Sequence, residues 1–212
     1  MPVGIKRGLR YSMATMKDKV SAAALSAIAL FNALCVYLVF KSGMREVYME
    51  NGLVENAQAV LLVISGVAFL VALARARGGH RFVLLGFILL CVSFLLRELD
   101  VEKFDLPRVL IHVGSGVGRN VIVSLAWAAL ALYMVRHFRL CMEMLRYWLL
   151  SKTGAFLLAG GVLLLLGAMF DRGLASSGYG RFYEEMLELN GYGAILLGAL
   201  FSRARLRKSG EW

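Results

Sequence analysis

Glu184, Glu185 and Glu188 are crowded into five residues, with Asn190 just beyond them. On a helix this spacing sets Glu188 one turn beneath the first two and Asn190 deeper on a neighbouring face. Crowded carboxylates repel, so one of them is expected to hold a proton near neutrality, which suits general acid/base work or proton-coupled transport. The same oxygens suit a hard divalent cation such as calcium. Three other groups have related chemistry. Glu50 to Gln58 contributes Glu55 and Asn56, and Arg97-Glu98-Leu99-Asp100 contributes two acids. The stretch from Arg108 to Asn120 contributes His112, Ser115, Arg119 and Asn120, while Asp171 and Arg172 precede the triple-Glu run.

These residues divide into expected roles. His112, Glu185 and Glu188 are the candidate catalytic acids and bases. Glu55, Asn56, Glu98, Asp100, Arg119, Asn120, Asp171 and Asn190 are candidate ligand-binding groups, and Glu55, Glu98, Asp171 and Glu188 are the oxygens expected to hold a metal. A divalent cation is the cofactor such a set would take.

The elements that position them are apolar. The chain has 212 residues, of which 59% are hydrophobic, and its mean hydropathy of +0.69 exceeds what a soluble surface tolerates. Five apolar stretches run from Val20 to Phe40, Ala57 to Ala74, Phe82 to Leu96, Val121 to Val135 and Gly154 to Phe170. A sixth, Met186 to Ser202, is interrupted by Glu188 and Asn190. A helix needs roughly 20 residues to cross a hydrocarbon core, so the shorter stretches must borrow flanking polar residues that snorkel. The expected fold is all-α, a polytopic bundle of six transmembrane helices. It comprises a basic N-terminal segment (1–19), a membrane domain (20–202) and a basic tail (203–212).

Charge fixes the expected orientation. Of 24 Lys and Arg, 16 lie in the two tails, between spans 2 and 3, or after span 4, together with only 3 of the 14 acids. By the positive-inside rule these ends and both termini face the cytoplasm, placing the chain in a cell (inner or plasma) membrane. The other 11 acids gather at the opposite helix ends. The net charge of +10 is thus a topology signal, and nucleic acid is not an expected partner. The expected partners are the bilayer, anionic lipids at the cytoplasmic face, and a second membrane protein or a second copy of the chain. Cys35 and Cys91 fall inside spans and Cys141 on the basic side, so no external disulfide framework is expected.

Depth separates ordinary charges from informative ones. A charge within the membrane costs at least ~2.5 kcal/mol, so Glu55, Glu98, Arg119, Asp171, Glu185 and Glu188, which abut or enter apolar runs, should have partners or line a wet cavity. Helix direction adds that Glu55 and Glu185 sit near N-termini, which favour carboxylates, whereas Glu98, Asp100 and Asp171 sit at C-termini and need a cation such as Arg97, Arg119, Arg172 or a metal. Asn32, Asn56, Gln58, Asn120 and Asn190 can also act as interhelical hydrogen-bond donors and acceptors. Helix 4 is expected to start at Pro107, which would put His112, Ser115 and Arg119 on one face. Gly114 and Gly118 fit a small-xxx-small pattern. The recurring Arg136, Arg139, Glu143 and Arg146 beside Phe138, Met142 and Leu145 predict a short helix on the cytoplasmic membrane surface, or an extension of helix 4.

Several activities are excluded. The glycines near Ser115 lack the preceding strand and the Gly-Lys-Ser/Thr of a phosphate loop. Polytopic lipid hydrolases of the alkaline ceramidase type also combine acidic, Asn-containing helix ends, but they hold zinc with several histidines. Here His80 and His137 fall on the basic side and only His112 on the acidic side, which excludes a three-His zinc site. The first expectation is a membrane protein with an acidic pocket in its outer half that binds a cation, a metal or a lipid head group, extending to a lipid hydrolase or transferase. The alternatives are a non-enzymatic subunit or assembly factor whose polar cluster is structural, and a small proton- or cation-coupled transporter. The absence of an inverted repeat counts against the transporter.

Overall fold

The computed structural model describes residues 3–99, 107, 111, 114–173 and 178–208, with side chains described within 19–202. Among the described residues there are seven α-helices, one short 3-10 turn and no strand. The helices are α1 (Val3–Phe40), α2 (Leu53–Leu73), α3 (His80–Glu98), α4 (Gly116–Arg136), α5 (Phe138–Leu149), α6 (Lys152–Asp171) and α7 (Gly180–Lys208), and the 3-10 turn is Arg45–Tyr48. The all-helical expectation holds.

Five segments are long and apolar enough to cross a membrane: Lys19–Phe40, Arg45–Leu73, His80–Glu98, Gly116–Arg136 and Lys152–Asp171. They match the first five apolar stretches of the sequence, the second to within one residue at Ala74. Apolar side chains cover their outer surfaces: Leu30 is 72% exposed, Leu125 64% and Leu165 71%. Such a surface is tolerated where hydrocarbon, not water, is the surrounding medium.

The polar helix α7 sits inside this apolar shell. Leu189, Tyr192, Ile195, Leu196, Leu197 and Ala199 are all buried, and α7 makes its most extensive contacts with α6, then with α2, and further contacts with α1. Glycines permit the closest of these approaches. A Cβ on Gly160 of α6 would lie 2.8 Å from the Gly191 carbonyl oxygen of α7, and one on Gly191 would lie 2.9 Å from Leu164 Cγ. Backbones meet there because neither residue has a side chain to hold them apart. On another face of α7, Gly193 receives Ile28 of α1.

Two buried clusters result. One joins Phe69, Leu84, Cys91, Trp148, Tyr192 and Ile195, tying α2, α3 and α5 to α7. The other joins Cys35, Val39, Tyr48, Val54, Phe182 and Leu189, tying α1 and the 3-10 turn to α2 and α7. Cys35, Cys91 and Cys141 are buried thiols outside any disulfide, in keeping with a packing role.

The structure corrects the sequence reading of helix 4. Helical hydrogen bonds join Ile111 N to Pro107 O and Ser115 N to Ile111 O. Ser115 is then extended and serves as the N-cap of α4, and Gly116 takes φ +51°. This left-handed step, accessible to glycine, separates the Pro107 turn from α4. The continuous helix expected from Pro107 through Arg119 is therefore interrupted at Ser115, and His112 lies outside the described residues. The surface segment, in contrast, is a helix of its own: α5 is set off from α4 at His137 (φ −118°, ψ 36°).

Candidate functional site

α3 ends on Arg97 and Glu98, and α7 carries Glu185, Glu188 and Tyr192 at i, i+3 and i+7 on one face. That face meets the end of α3. Arg97 lies between two acids: its Nη2 is 2.5 Å from Glu188 Oε1 and 2.9 Å from Glu98 Oε1, and its Nε donates to Glu98 Oε1 at 3.0 Å. The Tyr192 hydroxyl donates to the same Glu98 oxygen at 2.7 Å. Side-chain exposure is 8% for Glu98 and 6% for Glu188 but 49% for Arg97, so two buried carboxylates are held by a guanidinium that reaches solvent.

Glu185 extends the cluster towards α2. Gln58, fully buried, donates through Nε2 to Glu185 Oε2 and to the Glu185 carbonyl, each at 3.0 Å. The Gln58 Oε1 atom is buried with no hydrogen-bond partner among the described residues. Glu185 stands in the turn ahead of the apolar run of α7.

The other expected site residues have different employment. Glu55 accepts from the Asn51 backbone N–H in the first turn of α2, and Asn56 donates to the Asn51 and Gly52 carbonyls. Both hold the turn that starts α2, where Asn51 has φ 57°. Arg119 Nη1 donates to the Leu96 carbonyl at 2.7 Å, satisfying one of the carbonyls left open at the end of α3. Asn190 forms a reciprocal pair with Asn32 of α1 at 2.7 and 3.1 Å, and so joins α7 to α1. Asn120 and Asp171 are exposed, and His112 and Asp100 lie outside the described residues.

Among the described residues no group of three or more His, Cys, Asp and Glu is placed to hold a metal ion. Of the four oxygens expected to do so, Glu98 and Glu188 meet across Arg97, whereas Glu55 caps α2 and Asp171 is exposed. Tyr192 and Arg97 are the members that sequence reasoning undervalued. The signal for Tyr192 was its place one turn beyond Glu188. An open depression lined by Met142, Glu143, Met144, Arg146, Tyr147 and Leu150 lies at the far end of α3, beside α5.

Chemically the cluster can hold positive charge and exchange protons. Glu98 and Glu188 share the guanidinium of Arg97, Glu185 accepts from Gln58 beside them, and Tyr192 can relay a hydrogen bond. No protein-family model, curated protein or solved structure matches this chain.

Proposed function

We propose that the chain is a six-span protein of the inner or plasma membrane, with both termini in the cytoplasm and α7 as its sixth span. In this reading Glu98, Glu185 and Glu188 form a site in the outer half of the bundle that binds a cation, the proton or a small monovalent or organic cation. One observation carries it: Glu98 and Glu188 are buried on the one guanidinium of Arg97, while Glu185, half-buried on the same face of α7, has only the Gln58 amide as its side-chain partner among the described residues. Unbalanced charge in such surroundings is costly and is relieved by taking up positive charge. The buried, unpartnered Gln58 Oε1 beside Glu185 supports the same reading, because it offers an acceptor to a bound donor.

The test is calorimetric titration of purified protein in nanodiscs with Na⁺, K⁺, tetramethylammonium and Ca²⁺, repeated in two buffers of different ionisation enthalpy. Saturable binding of one cation, with proton release that disappears in Glu185→Gln, is the expected result. A second reading also has a specific observation behind it. Arg97 already contacts both Glu98 and Glu188 within 3.0 Å, as expected of a polar lock in a membrane subunit or assembly factor. It is favoured if no cation binds and Glu185→Gln leaves proton exchange unchanged.

A further inference from the structure

α5 has three distinct sides. At 100° per residue, Cys141 and Trp148 share a side with the half-buried Met144; Cys141 is 1% and Trp148 0% exposed. This side docks on the protein: Trp148 Nε1 donates to His80 Nδ1 at 3.0 Å at the start of α3, and the Trp148 ring meets Phe87 edge-on. A second side, Phe138, Met142 and Leu149, is apolar yet exposed. The third side, Arg139, Glu143 and Arg146, is charged and exposed. No ion pair or hydrogen bond to another described residue occupies the Arg139 or Arg146 guanidinium.

A helix buried in protein has no use for a charged side, and a helix in water gains nothing from an exposed apolar one. Three sides require three surroundings. The place that supplies protein, hydrocarbon and polar head groups together is the membrane interface. α5 joins two membrane-crossing segments, Gly116–Arg136 and Lys152–Asp171, so its ends are already at that level. Arg136 at the end of α4 and Arg77 in the α2–α3 turn add exposed positive charge at the same end. That turn packs on α5, since a Cβ on Gly79 would meet Met144 and Leu140.

We infer that α5 lies along the membrane interface and that Arg139 and Arg146 form a binding site for the phosphate head groups of anionic phospholipids. Phe138, Met142 and Leu149 reach into the acyl region, and the guanidinium groups sit one level higher, where phosphate accepts their hydrogen bonds. This site is independent of the carboxylate cluster at the other end of α3.

Two measurements test it. Nitroxide labels on Met142→Cys, Leu149→Cys and Glu143→Cys, in nanodiscs of phosphatidylcholine and phosphatidylglycerol, report their surroundings; the native thiols are buried and stay unlabelled. Labels at 142 and 149 should collide with oxygen in preference to a water-soluble nickel chelate, and the label at 143 should show the reverse. In parallel, retention of phosphatidylglycerol through detergent washing should fall on the order of tenfold in Arg139→Gln/Arg146→Gln, and in the wild type at high salt. Labels at 142 and 149 shielded from both collision partners would mean that a protein covers this side, which overturns the proposal. Equal phosphatidylglycerol retention by wild type and double variant overturns it as well.

Discussion

Arg97 is the residue on which the cluster turns, because its guanidinium contacts both Glu98 and Glu188. Removing one partner of a fully buried pair costs about 3 to 5 kcal/mol. With half of the Arg97 side chain in solvent, Arg97→Gln is expected to cost about 2 kcal/mol, read as lost thermal stability. Arg97→Gln/Glu188→Gln should recover part of that loss, because one of the stranded charges is gone. Tyr192→Phe removes one hydrogen bond to a carboxylate and should cost about 1.5 to 3 kcal/mol. Glu98, Glu185 and Glu188 were legible in sequence because depth in an apolar run makes a charge conspicuous. Tyr192 was not, since a phenol in such a run looks like core. Nor could sequence separate Glu55 and Arg119 as ligands from Glu55 and Arg119 as caps: a helix terminus attracts charge for either reason.

At the scale of elements, α7 is a helix whose sides have different jobs. Glu185, Glu188 and Tyr192 face α2 and α3, Asn190 and Gly193 face α1, and Gly191 faces α6. The α6–α7 contact can be tested by glycine position. Gly160→Ala drives a Cβ against a backbone oxygen that cannot rotate away, and about 1 to 3 kcal/mol of stability should be lost in a melting experiment. Gly161→Ala meets nothing within 4 Å and should be neutral or stabilising by about 0.5 to 1 kcal/mol. A comparable gain in both variants would show that helix propensity, not packing, governs these positions. Helix positions were readable from hydropathy because each apolar stretch lies within a helix, the second to within one residue at Ala74. The interruption before α4 was not, because a proline that can open a helix also tolerates a turn, and the break depends on the φ of Gly116.

For the whole molecule, the expected orientation can be checked with membrane-impermeant thiol reagents. Glu50→Cys should react from outside intact cells, and Lys152→Cys only after permeabilisation; labelling of both from the same side would remove the six-span arrangement. The central place of α7 has a further consequence, concerning biogenesis. Its carboxylates and asparagine keep it out of the set of helices apolar enough to cross on their own, and it finds its most extensive contacts on α6, its immediate predecessor in the chain. A translocon presented with α7 alone should release it to water, whereas a nascent α6–α7 hairpin offers glycine-lined contact before lipid is met. In a glycosylation-mapping assay the isolated segment 180–208 is expected to stay uninserted and the segment 152–208 to insert. On the six-span proposal, α7 would then reach the bilayer as cargo of the helix made just before it.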